Sequence, residues 1–210
     1  MRESRGRRLI ASAAGTGLLL AAFAGCGATG SSNVGGSMSS RSLAEGAAVL
    51  DLDFRTGVYA HEAGGDTVFI LSDVPLAELL EDGLERGQLV VLDLLWPPRA
   101  GSTPISADAT NTSVRHLMVV DGEAGTYAGA GFCMPSGSLG DGAVSLDVWD
   151  STVRLVGATD GFRDLLSPAR LTGSVTAVED EAAVRRILSW LRAVSPPALD
   201  DGIARSASSS

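Results

Sequence analysis

Lysine is missing from this chain of 210 residues: all 16 basic residues are arginine. That excludes Schiff-base chemistry, serine–lysine dyads and phosphate-loop lysines, each of which needs a primary amine. Histidine occurs only at His61 and His116, and cysteine only at Cys26 and Cys133. That is a thin supply for a zinc site. Positive charge is scarce as well. From Cys26 onward, 12 arginines face 24 carboxylates, a net charge of −12. Such a chain is no nucleic-acid binder and is not drawn to anionic lipid surfaces. Several motifs are also absent. HExxH fails after His61-Glu62, because position 65 is glycine. Gly125, Gly129 and Gly131 do not make GxGxxG, no GxSxG surrounds Ser136 or Ser138, and no EF-hand spacing or repeat of 20–50 residues occurs.

What is present begins at the N-terminus. Arg2, Arg5, Arg7 and Arg8 precede an apolar run from Leu9 to Cys26. A basic start, an apolar stretch and a small-residue cleavage site make an export signal. The run holds about fifteen apolar residues, short of the roughly 20 that span a bilayer. Its end, Ala24-Gly25-Cys26, resembles the lipobox of bacterial lipoproteins, with Phe23 where that family has leucine. The resemblance covers residues 1–26 alone. It implies that Cys26 becomes the mature N-terminus, carries diacylglycerol on its sulfur and holds the protein to a membrane, since several acyl chains make a durable anchor. Cys133 is then left without a partner for an internal disulfide, and the fold rests on its core. The same residues offer a second outcome. Ala22-Phe23-Ala24 is also an Ala-x-Ala site, and cleavage there releases a soluble protein beginning at Gly25. Arg7-Arg8-Leu9-Ile10 resembles a twin-arginine signal.

The remainder divides by composition. Residues 26–46, rich in glycine and serine, read as the lipidated cysteine and a flexible tether with a reach of about 25 Å. Residues 47–195 read as one domain, and 196–210 as a disordered tail. Within the domain, Leu50, Leu52 and Phe54 alternate as a half-buried strand, and Arg55-Thr56-Gly57 turns into a return strand at Val58–Ala60. Thr67–Leu71 is a short β-rich run. Leu76, Leu79, Leu80 and Leu84 form a helical stripe that Ser72 or Asp73 can cap. Gln88–Trp96 is apolar on both faces, a central strand. A polar loop of about fourteen residues, Arg99–Thr112, follows. Ser113–Val120 and Gly125–Met134 form a hairpin about Asp121-Gly122. Val144–Trp149 and Thr152–Val156 read as two strands joined at Asp150-Ser151 by a tight turn or a bend, and Leu171–Val178 as the last strand. Val184, Ile187, Leu188, Leu191 and Val194 mark a C-terminal amphipathic helix capped by Asp180. About eight strands with short turns predict a mainly β fold, an antiparallel sandwich or partly closed barrel with one or two helices.

Few residues carry chemistry. Cys133 and His116 are the one thiol–imidazole pair in the domain, with Asp108 or Asp121 to orient the histidine; as a pair they would serve an envelope hydrolase. The bland alternative is two packed core residues, because cysteine is among the most buried residue types. His61 with Glu62 and Asp66, the trio Asp141, Asp147 and Asp150, and the pair Asp160 and Asp164 are the candidate cation sites. Aspartate beside glycine is equally ordinary turn chemistry. Nothing in these residues calls for a cofactor. Tyr127, Gly129 and Gly131 share one strand face, where glycine implies a bulge or a close approach. With loops Arg99–Thr112 and Pro135–Gly142 they suggest a ligand site on a β scaffold. The expectation is an exported binding or structural module of the cell envelope, for a small ligand or an envelope protein.

Overall fold

A computed structural model describes residues 34–46, 48–62, 66–98 and 109–194. Period-two alternation carries most of it. Nine strands form: β1 (Gly35–Ser42), β2 (Val49–Phe54), β3 (Thr56–His61), β4 (Thr67–Ser72), β5 (Gly87–Leu94), β6 (Thr112–Val120), β7 (Glu123–Ser136), β8 (Ala143–Ala158) and β9 (Ala169–Glu179). Helix α1 (Leu76–Glu81) lies between β4 and β5, and α2 (Glu181–Val194) follows β9. The strands make one sheet in the order β2-β1-β9-β3-β4-β5-β6-β7-β8, and β8 also pairs with β9, closing a ring. All pairings are antiparallel except the short β3–β9 contact at Val58↔Val178 and Tyr59↔Glu179. β9 is the seam: β8 lies along one side, and β1 then β3 share the other. Closure through β8–β9 and β3–β9 joins seven strands in a ring, and β1 and β2 extend from β9 with β2 as the remaining edge.

Two apolar layers follow from the alternation. Inside the ring, Phe69, Leu71, Val90 and Leu92 meet Leu146, Leu171 and Val175. Outside it, Ile70, Leu89 and Val91 point the other way and are covered by Val184, Ile187 and Leu191 of α2. This is why β4 and β5 are apolar on both faces. Each large aliphatic side chain so buried contributes about 1.5–3 kcal/mol. α2 starts as its sequence predicts: Asp180 Oδ1 accepts the Ala183 N–H at 2.9 Å. α1 starts at Pro75 without a side-chain cap. Its two expected caps are used elsewhere. The Ser72 hydroxyl donates to the Gln88 carbonyl at 2.8 Å, and Asp73 Oδ1 accepts the Gln88 N–H at 2.7 Å. Both clamp the loop that holds α1 to the start of β5.

Three expectations need correction. First, β1 falls within the segment read as tether. Gly35, Met38, Ser40 and Ser42 are its buried positions, so one large apolar side chain alone signals the inner face. Backbone pairing with β2 and β9 holds the strand instead. The domain therefore begins by Gly35, not at residue 47, and residues 27–34 alone separate Cys26 from it. Second, Arg55 does not turn β2 back on itself. β2 pairs with β1, while β3 pairs with β4 and β9. Third, Asp150-Ser151 does not separate two strands. β8 runs through it, with a register shift between Val148 and Ser151 and Asp150 at φ 47°. Cys26, the signal, the loop residues 99–108 and the tail 196–210 lie outside the described residues. Among those described, no helix is long and apolar enough to cross a membrane.

Candidate functional site

The site is built where β6 turns into β7. The tight turn at Asp121-Gly122, with both residues at positive φ, sets the hairpin register. That register places Tyr127 opposite His116 on one side and Leu155 of β8 on the other. A register shift between Thr126 and Tyr127 aims the ring inward, where it is fully buried. Its hydroxyl donates to Asp164 Oδ1 at 2.9 Å. The same oxygen accepts the N–H groups of Leu166 and Ser167, each at 3.0 Å. Burial alone would raise the Asp164 carboxyl, but the Ser167 and Leu166 N–H groups and the Tyr127 hydroxyl together hold it below the usual carboxylate value. Burial, and then the Asp164 carboxylate, raise the Tyr127 phenol well above its ordinary range.

These bonds lay the segment from Thr159 to Ser167 across one end of the barrel. Glu123 fixes its start, taking the Thr159 hydroxyl and the Gly161 N–H. Phe162 then turns inward, edge-on to Tyr127 with ring centroids 6.3 Å apart. Gly125 makes this possible: a Cβ there would lie 2.2 Å from the Phe162 ring. Beneath the segment lies a cavity of about 440 Å³. Leu50, Met118, Tyr127, Phe162 and Leu166 are among its walls. Val49, Val120 and Leu165 stand at its rim, 50%, 46% and 60% exposed. Asp121, Glu123 and Arg163 supply the charges there.

His116 lies deeper, on the inner face of β6. Its Nε2 sits 3.0 Å from Gln88 Oε1, an acceptor, so this nitrogen carries the proton. Burial pushes the imidazole down to about 4, so it is neutral at pH 7. Its ring lies 5.9 Å from that of Tyr127.

The other candidates disperse, each for a physical reason. Cys133 is six residues beyond Tyr127 along β7, about 20 Å at 3.3 Å per residue, so it and His116 form no dyad. Its sulfur meets the Thr112 hydroxyl at 2.8 Å. Burial pushes the thiol up to about 11, against a smaller opposing pull from Thr112. A thiol so held is protonated at neutral pH and is no nucleophile. Asp108 lies outside the described residues, and Asp121 pairs with Arg86 at 3.4 Å, not with His116. Gly129 and Gly131 hold no ligand space. A Cβ on Gly129 would lie 1.8 Å from the Thr152 carbonyl oxygen, and one on Gly131 would lie 2.0 Å from Ser151 Oγ. The glycines exist because the bulged β8 crowds them. Pro135 lies eight residues along β7 from Tyr127, so its loop does not reach the cavity.

Nor do the acidic candidates converge. Among the described residues, no three His, Cys, Asp or Glu side chains come near enough to hold a metal ion. Asp147 and Asp150 lie along β8, with Asp150 paired to Arg170 at 3.4 Å, and Asp141 lies in the loop before that strand. His61 Nδ1 bonds the Thr67 hydroxyl at 2.7 Å, and the Glu62 N–H bonds the Asp66 carbonyl. Asp164, paired above with Asp160 as a cation candidate, instead latches Tyr127. Of the candidate site residues singled out from sequence, Tyr127 and Asp121 line the cavity, Asp121 at its rim and not in the role expected for it. Phe162, Arg163, Leu165 and Leu166 were passed over, because their segment shows neither helical nor strand period. The one available signal was Gly125, a gap in a strand that a ring fills. Comparisons with protein-family models, with curated proteins and with solved structures find no match for this chain.

Proposed function

We propose that this protein is an exported, lipid-anchored binding module of the cell envelope, and that the mouth of its barrel takes an apolar ligand. The observation that carries the ligand is the cavity of about 440 Å³, walled by apolar side chains and rimmed by exposed Val49, Val120 and Leu165. Ligand sites fall at about 300–1,000 Å³ and are mostly apolar with a few placed polar groups; barrel mouths are a common position for them. Tyr127 and the charged rim supply those groups. The anchor rests on residues 1–26. A Gly/Ser chain as short as residues 27–34 would tether the domain to the anchor with a reach of about 16 Å.

Two measurements test this reading. A neutral, environment-sensitive apolar dye is titrated into the exported protein carrying Cys26→Ser, and into the same protein with Met118→Trp. Filling the cavity is expected to weaken binding by about tenfold or more. Trp149→Ala, on the outer wall of β8, leaves it unchanged. Equal binding by the filled cavity sinks the ligand reading. Separately, the N-terminal mass of the unaltered protein tests the anchor. A diacylated Cys26 supports it, and a bare N-terminus at Gly25 replaces it with a released, soluble form.

A further inference from the structure

The rim charges of the cavity are not equivalent. Asp121 is paired with Arg86 at 3.4 Å. Glu123 is committed to the Thr159 hydroxyl and the Gly161 N–H. Arg163 has no carboxylate within ion-pair distance among the described residues. Its position is set from both sides. Phe162 is seated over Gly125, and Asp164 is bonded to Tyr127, Leu166 and Ser167. The backbone therefore holds a guanidinium stem at the mouth of an apolar cavity while the head stays exposed. An arginine stem lies along apolar surface with its charge in water, and its planar fork matches a carboxylate or phosphate.

We infer that the ligand is a single-chain amphiphile with one anionic head: its chain lies among Leu50, Met118 and Leu166, and its head meets Arg163 at the rim. This rests on the cavity reading above and adds the charge of the ligand to it. A long-chain carboxylate and an alkyl phosphate share the required chemistry. The acidic surface as a whole does not contradict this. Asp121 is paired with Arg86 and Glu123 is turned to Thr159 and Gly161, so Arg163 is the one cation among the cavity's lining residues and has no carboxylate at ion-pair distance among the described residues.

The test uses the exported protein with Cys26→Ser, so that its own lipid does not compete. Dodecanoate, dodecyl phosphate, dodecanol and dodecylamine each displace a bound neutral dye, at low and at high salt. An exposed ion pair supports about a twofold to fivefold preference. Dodecanoate or dodecyl phosphate is expected to bind about that much more tightly than dodecanol at low salt, and the stronger of the two identifies the head. High salt should erase the difference. Arg163→Gln should erase it too, bringing acid and alcohol to equal affinity, with an unaltered urea midpoint as evidence of folding. Equal affinity for acid and alcohol overturns the inference and leaves the apolar cavity standing. So does an anion preference that survives Arg163→Gln, or tightest binding by dodecylamine. If none of the four displaces the dye, the cavity reading falls with it.

Discussion

The Tyr127 hydroxyl and the Asp164 carboxylate, 37 residues apart in the chain, meet at 2.9 Å and latch the Thr159–Ser167 segment over the barrel end. Tyr127→Phe removes the latch without changing the packing of the ring. Asp164 keeps the N–H groups of Leu166 and Ser167, so the cost to global stability is modest, about 1 kcal/mol. The local effect is larger. Amide exchange at Leu166 and Ser167 should quicken while exchange in β4 and β5 stays as it was. Acid acts in the same direction. The folded Asp164 carboxyl is depressed, so its contribution is present above the ordinary carboxylate value and is lost as pH falls through the folded one. Unchanged exchange in the Phe variant would show that the remaining contacts, from Glu123, Phe162 and the Asp164 turn, hold the segment without the latch.

His116 gives the fold a pH dependence of the opposite origin. Buried and neutral, it protonates at about 4, against 6.5 in an unfolded chain. Between those values the unfolded state binds a proton that the folded state refuses, so stability falls as pH drops from 6.5 towards 4. The total is about 3 kcal/mol at 1.36 kcal/mol per unit. Below 4 this contribution changes no further. His116→Leu removes the titration. Urea midpoints at pH 7 and pH 4.5 should converge in the variant relative to the unaltered protein. A drop no steeper with histidine than without it would show that the imidazole is solvated.

What could be read from the sequence follows the range of the forces involved. α2 was legible because Val184, Ile187 and Leu191 repeat at helical spacing and Asp180 stands at the cap. The inward row Val114, His116 and Met118 was legible as a strand face for the same kind of reason. β1 was not, since Ser40 and Ser42 are buried by position in the sheet and carry no apolar signal of their own. The β8 bulge looked like a turn because Asp150 does adopt a turn conformation, at φ 47°, inside a strand that continues. The ring closure depends on Val178 meeting Val58, a contact between ends of the domain that no local pattern encodes. The cavity is assembled from the β1–β2 hairpin, the β6–β7 turn and the β8–β9 segment, so it has no sequence signature either.

Gly129 tests whether the glycine face is about crowding. Alanine there would place its Cβ 1.8 Å from the Thr152 carbonyl oxygen, and that oxygen belongs to the backbone of a paired strand. The strands must part or the bulge must move. Overpacking of this kind costs about 1–3 kcal/mol, and a backbone obstacle puts Gly129→Ala at the upper end. Ala130→Ser, one residue on and exposed, should stay within about 0.5 kcal/mol. Comparable urea midpoints for the two variants would mean that β7 and β8 are less closely paired than described.

The first strand sets where the domain begins, and this can be tested by cutting. A chain starting at Ser31 keeps β1; one starting at Ala47 loses it. Without β1, the edge of β9 from Ala169 to Thr176 has no partner on that side, and β2 has no partner at all. Met38 leaves the inner core, and Leu52, Leu171 and Val175 lose their cover. An open, apolar strand edge invites pairing with a second chain. The longer protein should elute as one species and unfold cooperatively, while the shorter one should aggregate or melt without a sharp transition. If both unfold alike, β1 is an accessory and the tether extends to residue 46. If they differ as expected, the glycine- and serine-rich stretch after Cys26 is partly a structural strand, and a domain cut at residue 47 is the wrong protein on which to measure ligand binding.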